Sequence, residues 1–249
     1  MAEIDLPGEK EKIWHRMRDD LKSLSPGFAD DDLLLCPTYL RRITFKEFSL
    51  EHIIPQQALD EDHETARDAV TRNQRSGLTL LCTKRLVIKD KLIAEKGCNG
   101  WKGKHFDRFI RQILQGRMDK MDVTTRHNVA LLALGYLALF RQYGYRISLS
   151  RSGVLMRHQF FNPGAFWKDL PDKCQMVLGG PPLSEFNDNI KSYWHDPFKI
   201  TIQKGFALVS VRSVTFWLPL SDDPTAPLAT LLRYAPPRLK FRPDFTSVF

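Results

Sequence analysis

The sequence predicts an α+β fold with an amphipathic helix at its start, a long buried helix near its middle and several strands towards its end. Residues 8–24 place apolar side chains three or four positions apart, the spacing of an amphipathic helix. Residues 123–143 form a longer stretch that is apolar around most of its circumference, as in a buried helix. From residue 145 onward, short β-branched and aromatic runs alternate with Gly, Pro and Asp, which is typical of strands joined by turns.

The composition indicates a folded basic protein. The chain has 249 residues, 43% of them hydrophobic, and a net charge of +8. An excess of Lys and Arg favours a polyanionic partner, because binding releases the counterions condensed on nucleic acid. The longest apolar stretch, Val129 to Phe140, is shorter than the roughly 20 residues that span a bilayer. The N-terminal residues lack the apolar core of a signal peptide. We therefore expect a cytoplasmic protein that does not associate with membranes.

The first predicted element is the helix over residues 8–24. Its apolar face consists of Ile13, Trp14, Met17, Leu21 and Leu24. Ser25-Pro26-Gly27 ends the helix. The acidic triplet at residues 30–32 then leads into Leu33. Such runs are ordinarily solvated turns or helix N-termini, and metal binding is the less favoured alternative.

The next elements alternate strands with polar segments. An apolar strand ends near Pro55, residues 60–76 predict a short helix followed by a loop, and Leu78 to Cys82 predicts a second strand. Residues 83–97 predict a β-hairpin with a polar tip. This hairpin is strongly basic, so it either holds a phosphate backbone or is a solvated extension. Residues 106–114 predict an amphipathic helix, and residues 116–122 a linker.

The long apolar helix over residues 123–143 follows, closed by Gly144 as a C-cap. Beyond it, five segments predict strands. They read YRISLS, CQMVLG, FKITIQ, FALVSVRSVTFWLPL and LRYAPPRLKF.

Two short motifs carry the most specific signal. Phe48 to Pro55 reads FSLEHIIP, and Cys98 to Lys104 reads CNGWKGK, with the second predicted strand between them. Over residues 36–115 this order resembles the HNH endonucleases, and most of all their subgroup with Asn as the last metal ligand. The resemblance implies a ββα-metal nuclease module at residues 33–118, with residues 106–114 as its helix. A helical segment, residues 1–32, precedes this module, and a C-terminal α+β domain of unknown role, residues 119–249, follows it.

The resemblance also implies the chemistry. His52 would be the general base, which suits an imidazole because its ordinary pKa of about 6.5 lies near working pH. Glu51 and Asn99 would hold one Mg²⁺ or Mn²⁺ ion through hard oxygen atoms. His105 is a candidate further ligand or phosphate contact, and an exposed helix histidine is the equal alternative. The candidate nucleic-acid contacts are Lys84, Arg85, Lys89, Lys102, Lys104, Arg108 and Arg111.

The sequence departs from this family at two places. The Asn that usually orients the base is replaced by Gly77, so Asn73 is the candidate substitute, and a backbone carbonyl is the alternative. Many relatives hold a structural zinc with two C-x-x-C pairs, whereas the four cysteines here, Cys36, Cys82, Cys98 and Cys174, are widely spaced. A structural zinc is therefore not expected, and buried free thiols are.

Taken together, these features predict a metal-dependent endonuclease that acts on DNA. Double-stranded DNA is favoured over RNA as its partner. The resemblance is compatible with an effector of restriction or antiphage defence. One alternative is an inactive nucleic-acid-binding or partner-binding subunit of a larger complex. Another is an interaction protein whose aromatic-rich C-terminal half, with Trp167, Trp194 and Trp217, contacts protein partners, although these tryptophans are more simply core residues.

Overall fold

A computed structural model describes residues 7–24, 26, 32–88, 90–115, 123–161, 176–178, 194–212 and 214–220. Its helices are α1 (Pro7–Leu24), α2 (Gln56–Leu59), α3 (Glu64–Ala69), α4 (Arg72–Ser76), α5 (Gly97–His105), α6 (Asp107–Leu114), α7 (Thr125–Tyr143), α8 (Tyr145–Leu149) and α9 (Arg151–Phe161). Its strands are β1 (Leu33–Leu35), β2 (Arg42–Thr44), β3 (Phe48–His52), β4 (Leu78–Cys82), β5 (Leu86–Ile88), β6 (Lys91–Ala94), β7 (Met176–Leu178), β8 (Phe198–Gln203), β9 (Phe206–Val211) and β10 (Val214–Pro219). The predicted α+β class is confirmed.

Helix α1 confirms the predicted N-terminal amphipathic helix. All five residues of its predicted apolar face are buried. The Trp14 ring packs edge-on against the rings of Phe45 and Phe48, with centroids 5.3 and 5.5 Å apart. Because Phe48 begins β3, these contacts fix α1 on the strand that carries Glu51 and His52.

Strands β3 and β4 and helix α5 form a ββα unit. The two strands pair antiparallel, with Phe48 opposite Cys82 and His52 opposite Leu78, and α5 packs against β4. The prediction that residues 106–114 supply the helix of this unit is wrong, because Gly97–His105 occupies that place and α6 follows as a separate helix. Three glycines lower the helix propensity of α5. For this reason, the apolar periodicity of the sequence did not predict it as the helix of this unit.

The segments around this unit are more helical than predicted. Residues 60–76 contain two short helices, α3 and α4, where one helix and a loop were expected. The hairpin predicted at residues 83–97 is confirmed as β5 and β6. Asp90 lies at its turn with φ 60°, a left-handed conformation that Asp tolerates better than most residues.

Helix α7 is the predicted buried helix, and the chain reverses behind it. Gly144 has φ 59°, and α8 begins at the next residue. The predicted strand YRISLS is therefore wrong, because residues 145–149 are helical. Its alternating pattern was misleading, since Ser148, a polar member, is fully buried and shares a hydrogen bond of 2.7 Å with the hydroxyl of Tyr136.

A four-stranded antiparallel sheet, in the order β7-β10-β9-β8, covers α7. It confirms the strands predicted in CQMVLG, FKITIQ and FALVSVRSVTFWLPL, whereas LRYAPPRLKF and residues 116–122 lie outside the described residues. Gly135 lies where β10 meets α7, and a Cβ there would approach Leu218 Cδ1 to 2.5 Å. The absent side chain lets the sheet lie close to the helix.

One continuous hydrophobic cluster joins α1, the ββα unit, α7 and the sheet, from Ile13 to Leu220. The described parts of the three predicted segments, residues 1–32, 33–118 and 119–249, thus share one core. Among the described residues, no helix combines the length and apolar character needed to cross a membrane.

The start of α5 depends on Gly97, which generates a first prediction. Gly97 has φ +62°, and a Cβ there would lie 2.4 Å from the carbonyl oxygen of Cys82. Gly205 is a matched control, because its φ is +88° but nothing lies within 4 Å of its Cβ position.

We expect Gly205→Ala to lower the free energy of unfolding by about 1–2 kcal/mol through backbone strain alone. Gly97→Ala should lose about 1–3 kcal/mol more, because overpacking adds to the strain. Urea unfolding of both variants measures the difference, and equal losses would contradict this role of Gly97.

Candidate functional site

The candidate site lies between the end of β3 and one face of α5. Ser49 and Glu51 are two residues apart on β3 and therefore point to the same side of the strand. Asn99 and Lys102 are three residues apart on α5 and share one helix face. Asn99 Nδ2 donates a hydrogen bond to Ser49 Oγ at 2.5 Å, and Lys102 Nζ lies 2.7 Å from Glu51 Oε1. The structure thus brings the two predicted metal ligands, Glu51 and Asn99, to one seam.

A buried ion-pair triad holds this seam together. The side chain of Lys102 is completely buried, and its ammonium lies 2.7 Å from both Glu51 Oε1 and Asp107 Oδ1. It also donates to the backbone oxygen of His52 at 3.0 Å. With both carboxylates ionised, the three side chains sum to a formal net charge of −1.

The protonation of the triad follows from burial and mutual attraction. Burial raises the pKa of Glu51, and the attraction of Lys102 only partly offsets this effect. Burial also acts to lower the pKa of Lys102, but its attraction to Glu51 and Asp107 is stronger, so the pKa is raised. Lys102 therefore carries its charge at neutral pH. The prediction that Lys102 contacts phosphate is wrong, because the ammonium has no solvent-exposed surface and already serves three oxygen atoms.

His52 is held through both ring nitrogens. Asn73 Oδ1 lies 3.0 Å from Nε2, and Gln56 Nε2 lies 3.1 Å from Nδ1. Because the Asn73 oxygen only accepts and the Gln56 amide donates, Nε2 carries the proton and Nδ1 keeps its lone pair. The predicted contact of Asn73 with His52 is present. Asn73 owes its position to α4. A capping box of Thr71 and Gln74 at the N-terminus of this helix fixes it beside the strand end.

His105 is the last residue of α5, six positions after Asn99. Its ring stacks on Trp101 with centroids 3.9 Å apart, while Trp101 Nε1 donates to the backbone oxygen of Phe160 in α9. Within the described part of the chain, His105 makes no hydrogen bond or ion pair with Glu51 or Asn99. Burial first, and then the charges of Lys104 and Arg126, lower the pKa of His105. The structure gives it a packing role on the side of the helix that meets α9.

Most of the predicted nucleic-acid contacts are engaged by carboxylates. Lys84 lies 2.8 Å from Glu47 and Arg111 lies 2.7 Å from Glu61, while Arg85 lies 3.6 Å from Glu95. Lys104 and Arg108 are exposed and, within the described part of the chain, have no ion pair. Lys89 lies outside the described residues. Of the predicted set, Lys104 and Arg108 are thus the cations best placed for a phosphate.

Three of the four cysteines converge behind α5. Cys36 Sγ lies 3.4 Å from Cys98 Sγ, and Cys82 also contacts Cys36. Burial alone would raise the pKa of Cys36, but hydrogen bonds from the two other thiols lower it. A tetrahedral zinc site needs four ligands. In the described ranges, no group of three or more His, Cys, Asp or Glu side chains is arranged to hold a metal ion, and Cys174 lies outside those ranges. The three thiols pack as free cysteines.

The remaining sequence candidates are scattered. His127 caps α7 through Thr124 and meets Gln112 at 3.3 Å, and His158 is buried in α9. Asp32, the described member of the acidic triplet, pairs with Arg18 at 3.3 Å. Of the three tryptophans, Trp194 is buried and lies under the guanidinium of Arg212, Trp217 lies in β10, and Trp167 lies outside the described residues.

Sequence reasoning missed three side chains that complete the site, Ser49, Gln56 and Asp107. The period of two along β3 places Ser49 beside Glu51, so that pattern could have found it. Gln56 lies four residues after His52 beyond a Pro, and Asp107 lies in the next helix, so no spacing rule pointed to either. Comparison of the chain with protein-family models, curated proteins and solved structures finds no match.

The triad generates a second prediction. Replacing Lys102 by Met leaves two carboxylates without their cation, so we expect a loss of about 3–5 kcal/mol in the free energy of unfolding at pH 8. The loss should be smaller at pH 5, because protonation removes the uncompensated charge from Glu51, whose pKa is already raised. Lys104→Met removes the same charge from an exposed position of the same helix and should change stability little. Urea unfolding at both pH values measures this, and a loss independent of pH would contradict the electrostatic explanation.

Proposed function

We propose that the protein is a metal-dependent endonuclease that hydrolyses phosphodiester bonds in DNA. The observation that carries the proposal is that Glu51 and His52 end β3 while Asn99 lies on the facing helix α5, with each side chain held by a partner from another element. A ββα unit with these residues in this order is what the resemblance to HNH endonucleases implies. The net charge of +8 supports a nucleic-acid substrate.

The oxygen atoms at the seam fit a hard divalent cation. Glu51 uses Oε1 toward Lys102, and Asn99 uses Nδ2 toward Ser49. Within the described part of the chain, no hydrogen bond engages the other atom of either group, Glu51 Oε2 or Asn99 Oδ1. A carboxylate and an amide oxygen suit Mg²⁺ or Mn²⁺, which keep several water ligands. The residual charge of −1 on the triad also favours a cation here.

Hydrolysis needs a base for the attacking water and stabilisation of the charge that develops on the phosphate. His52 Nδ1 holds the lone pair that would accept the water proton, and Asn73 stabilises the proton on Nε2. A bound divalent ion would supply Lewis-acid stabilisation of the phosphate and the leaving oxygen. Gln56 is exposed and donates a hydrogen bond to Nδ1, so its amide must move away from Nδ1 before the attacking water can take that position.

The proposal predicts cleavage that depends on both the base and the metal ligand. Purified protein should nick or linearise supercoiled plasmid with Mg²⁺ or Mn²⁺ and not with EDTA. His52→Ala should lower the rate by about 10²–10⁴-fold, the usual contribution of a general base. Asn99→Ala should lower it strongly as well.

His15→Ala is the control, since His15 is an exposed histidine on α1, and it should retain the wild-type rate. A wild type that binds DNA but is inert with every metal would favour the alternative of a nucleic-acid-binding subunit. Cleavage that survives His52→Ala would contradict the assigned base.

The two partners of His52 should behave differently when they are removed. Asn73→Ala removes the acceptor that fixes the tautomer, so we expect a 10–100-fold lower rate with DNA affinity unchanged. Asn73→Asp keeps an acceptor for Nε2 and should restore most of the activity. Gln56→Ala should leave the rate equal or higher, because it uncovers the basic lone pair. Single-turnover rates measured across pH give the comparison, and equal losses in Asn73→Ala and Gln56→Ala would contradict the assignment of Nδ1 as the basic atom.

A further inference from the structure

A groove outside the ββα unit leads away from the candidate site. It consists of two clefts of about 410 and 440 Å³ that share Arg16 and Arg141 in their walls. The second cleft is also lined by Asn73, Gly77 and Leu78. Asn73 holds His52, so this end of the groove borders the candidate site. The first cleft extends in the other direction along α1 to Arg146 on α8.

Three guanidinium groups line this groove, and they come from three different helices, α1, α7 and α8. Arg16 makes no hydrogen bond or ion pair with any described residue. Burial lowers the pKa of Arg16, and the charge of Arg141 lowers it further, while Asp20 acts against both. Two like charges held close together in a cleft repel each other, and an anion placed between them would relieve that repulsion.

The acidic groups of the groove are largely occupied. Asp20 Oδ2 accepts a hydrogen bond from the backbone nitrogen of Tyr145 at 2.6 Å, and burial raises the pKa of Asp20. Glu9 pairs with Lys12 at 3.5 Å. Asp196 lies 2.7 Å from Arg141 in a solvent-exposed pair, and such pairs contribute little. The residues that line the two clefts thus include three arginines, Arg16, Arg141 and Arg146, and two carboxylates, Asp20 and Glu9, while Asp196 pairs with Arg141 beside them.

We propose that this groove, termed the arginine groove (Arg16, Arg141 and Arg146), binds the phosphate backbone of the DNA that enters the site at His52. The inference rests on the proposed function. A guanidinium presents several donors that match phosphate oxygens, so arginines that line a cleft beside a hydrolytic site are suited to position a phosphodiester chain. Asn73 at one end and Arg146 at the other define a path for consecutive phosphates.

The test compares two double variants that each remove two positive charges from α1 and α7. Arg16→Ala with Arg141→Ala changes the groove. Lys22→Ala with Arg126→Ala changes exposed positions of the same helices outside the residues that line it. Affinity for a fluorescein-labelled 30-base-pair duplex is measured by fluorescence anisotropy in EDTA, where no turnover occurs, at several salt concentrations.

We expect the groove variant to bind at least about tenfold more weakly. The slope of log affinity against log salt should fall in magnitude by about 1.8, since each lost phosphate contact contributes about 0.9. The control variant should stay within about twofold of the wild type. Equal losses in the two double variants, or no loss in the groove variant, would overturn the proposal.

A single substitution at Arg16 controls for misfolding, because Arg141→Ala also removes the ion pair with Asp196. Arg16→Glu reverses a charge that has no ion pair among the described residues, and it should weaken binding more than Lys22→Glu does.

Plasmid cleavage measured in parallel separates the two proposals. A wild type that cleaves while the groove variant keeps full affinity refutes the groove alone. A wild type that binds through the groove without cleaving refutes the endonuclease alone.

Discussion

The buried ammonium of Lys102 is the interaction on which the candidate site depends. It ties α5 to β3 through Glu51, to the start of α6 through Asp107, and to the strand end through the backbone oxygen of His52. A buried cation is stable only when charged oxygens surround it, because removal from water costs several kcal/mol per ion. The same contacts that satisfy Lys102 therefore fix the relative positions of Glu51, His52 and Asn99. The left-handed turn at Gly97 completes this arrangement by letting α5 begin directly against the end of β4.

The triad also sets the electrostatics of the site. Two carboxylates against one ammonium give the triad a formal charge of −1 near Asn99, and the imidazole that Asn73 orients belongs to the last residue of the same strand. This combination is suited to a divalent cation on one side and a proton acceptor on the other. The proposed arginine groove borders the same strand end from α1 and α7, and its guanidinium groups are suited to phosphate oxygens. In this proposal, the cation, the base and the phosphate path take separate positions around the end of β3.

The sequence was sufficient for the elements that have a clear period and for residues that belong to a spaced motif. Helices α1 and α7, the hairpin β5–β6 and strands β8–β10 follow from their apolar patterns, and the placement of Asn99 on a helix that faces the strand of Glu51 follows from the two motifs. The sequence was misleading where burial and polarity disagree. Ser148 made α8 resemble a strand, and Lys102 resembled a surface cation because its two carboxylate partners come from different segments. Arg16 and Arg141 are 125 positions apart, so only tertiary packing brings them into one groove.

The central claim is that Glu51 and Asn99 hold one divalent cation beside His52. The most direct measurement is an anomalous difference map from crystals grown with Mn²⁺, with Asn99→Ala crystals as the comparison. A single Mn²⁺ peak that contacts Glu51 Oε2 and Asn99 Oδ1 in the wild type, and is lost in the variant, is the predicted result. Two results would contradict the assignment of this seam as a catalytic metal site. One is a Mn²⁺ peak at another position. The other is the absence of Mn²⁺ from the seam at saturating Mn²⁺, with Lys102 still paired to Glu51.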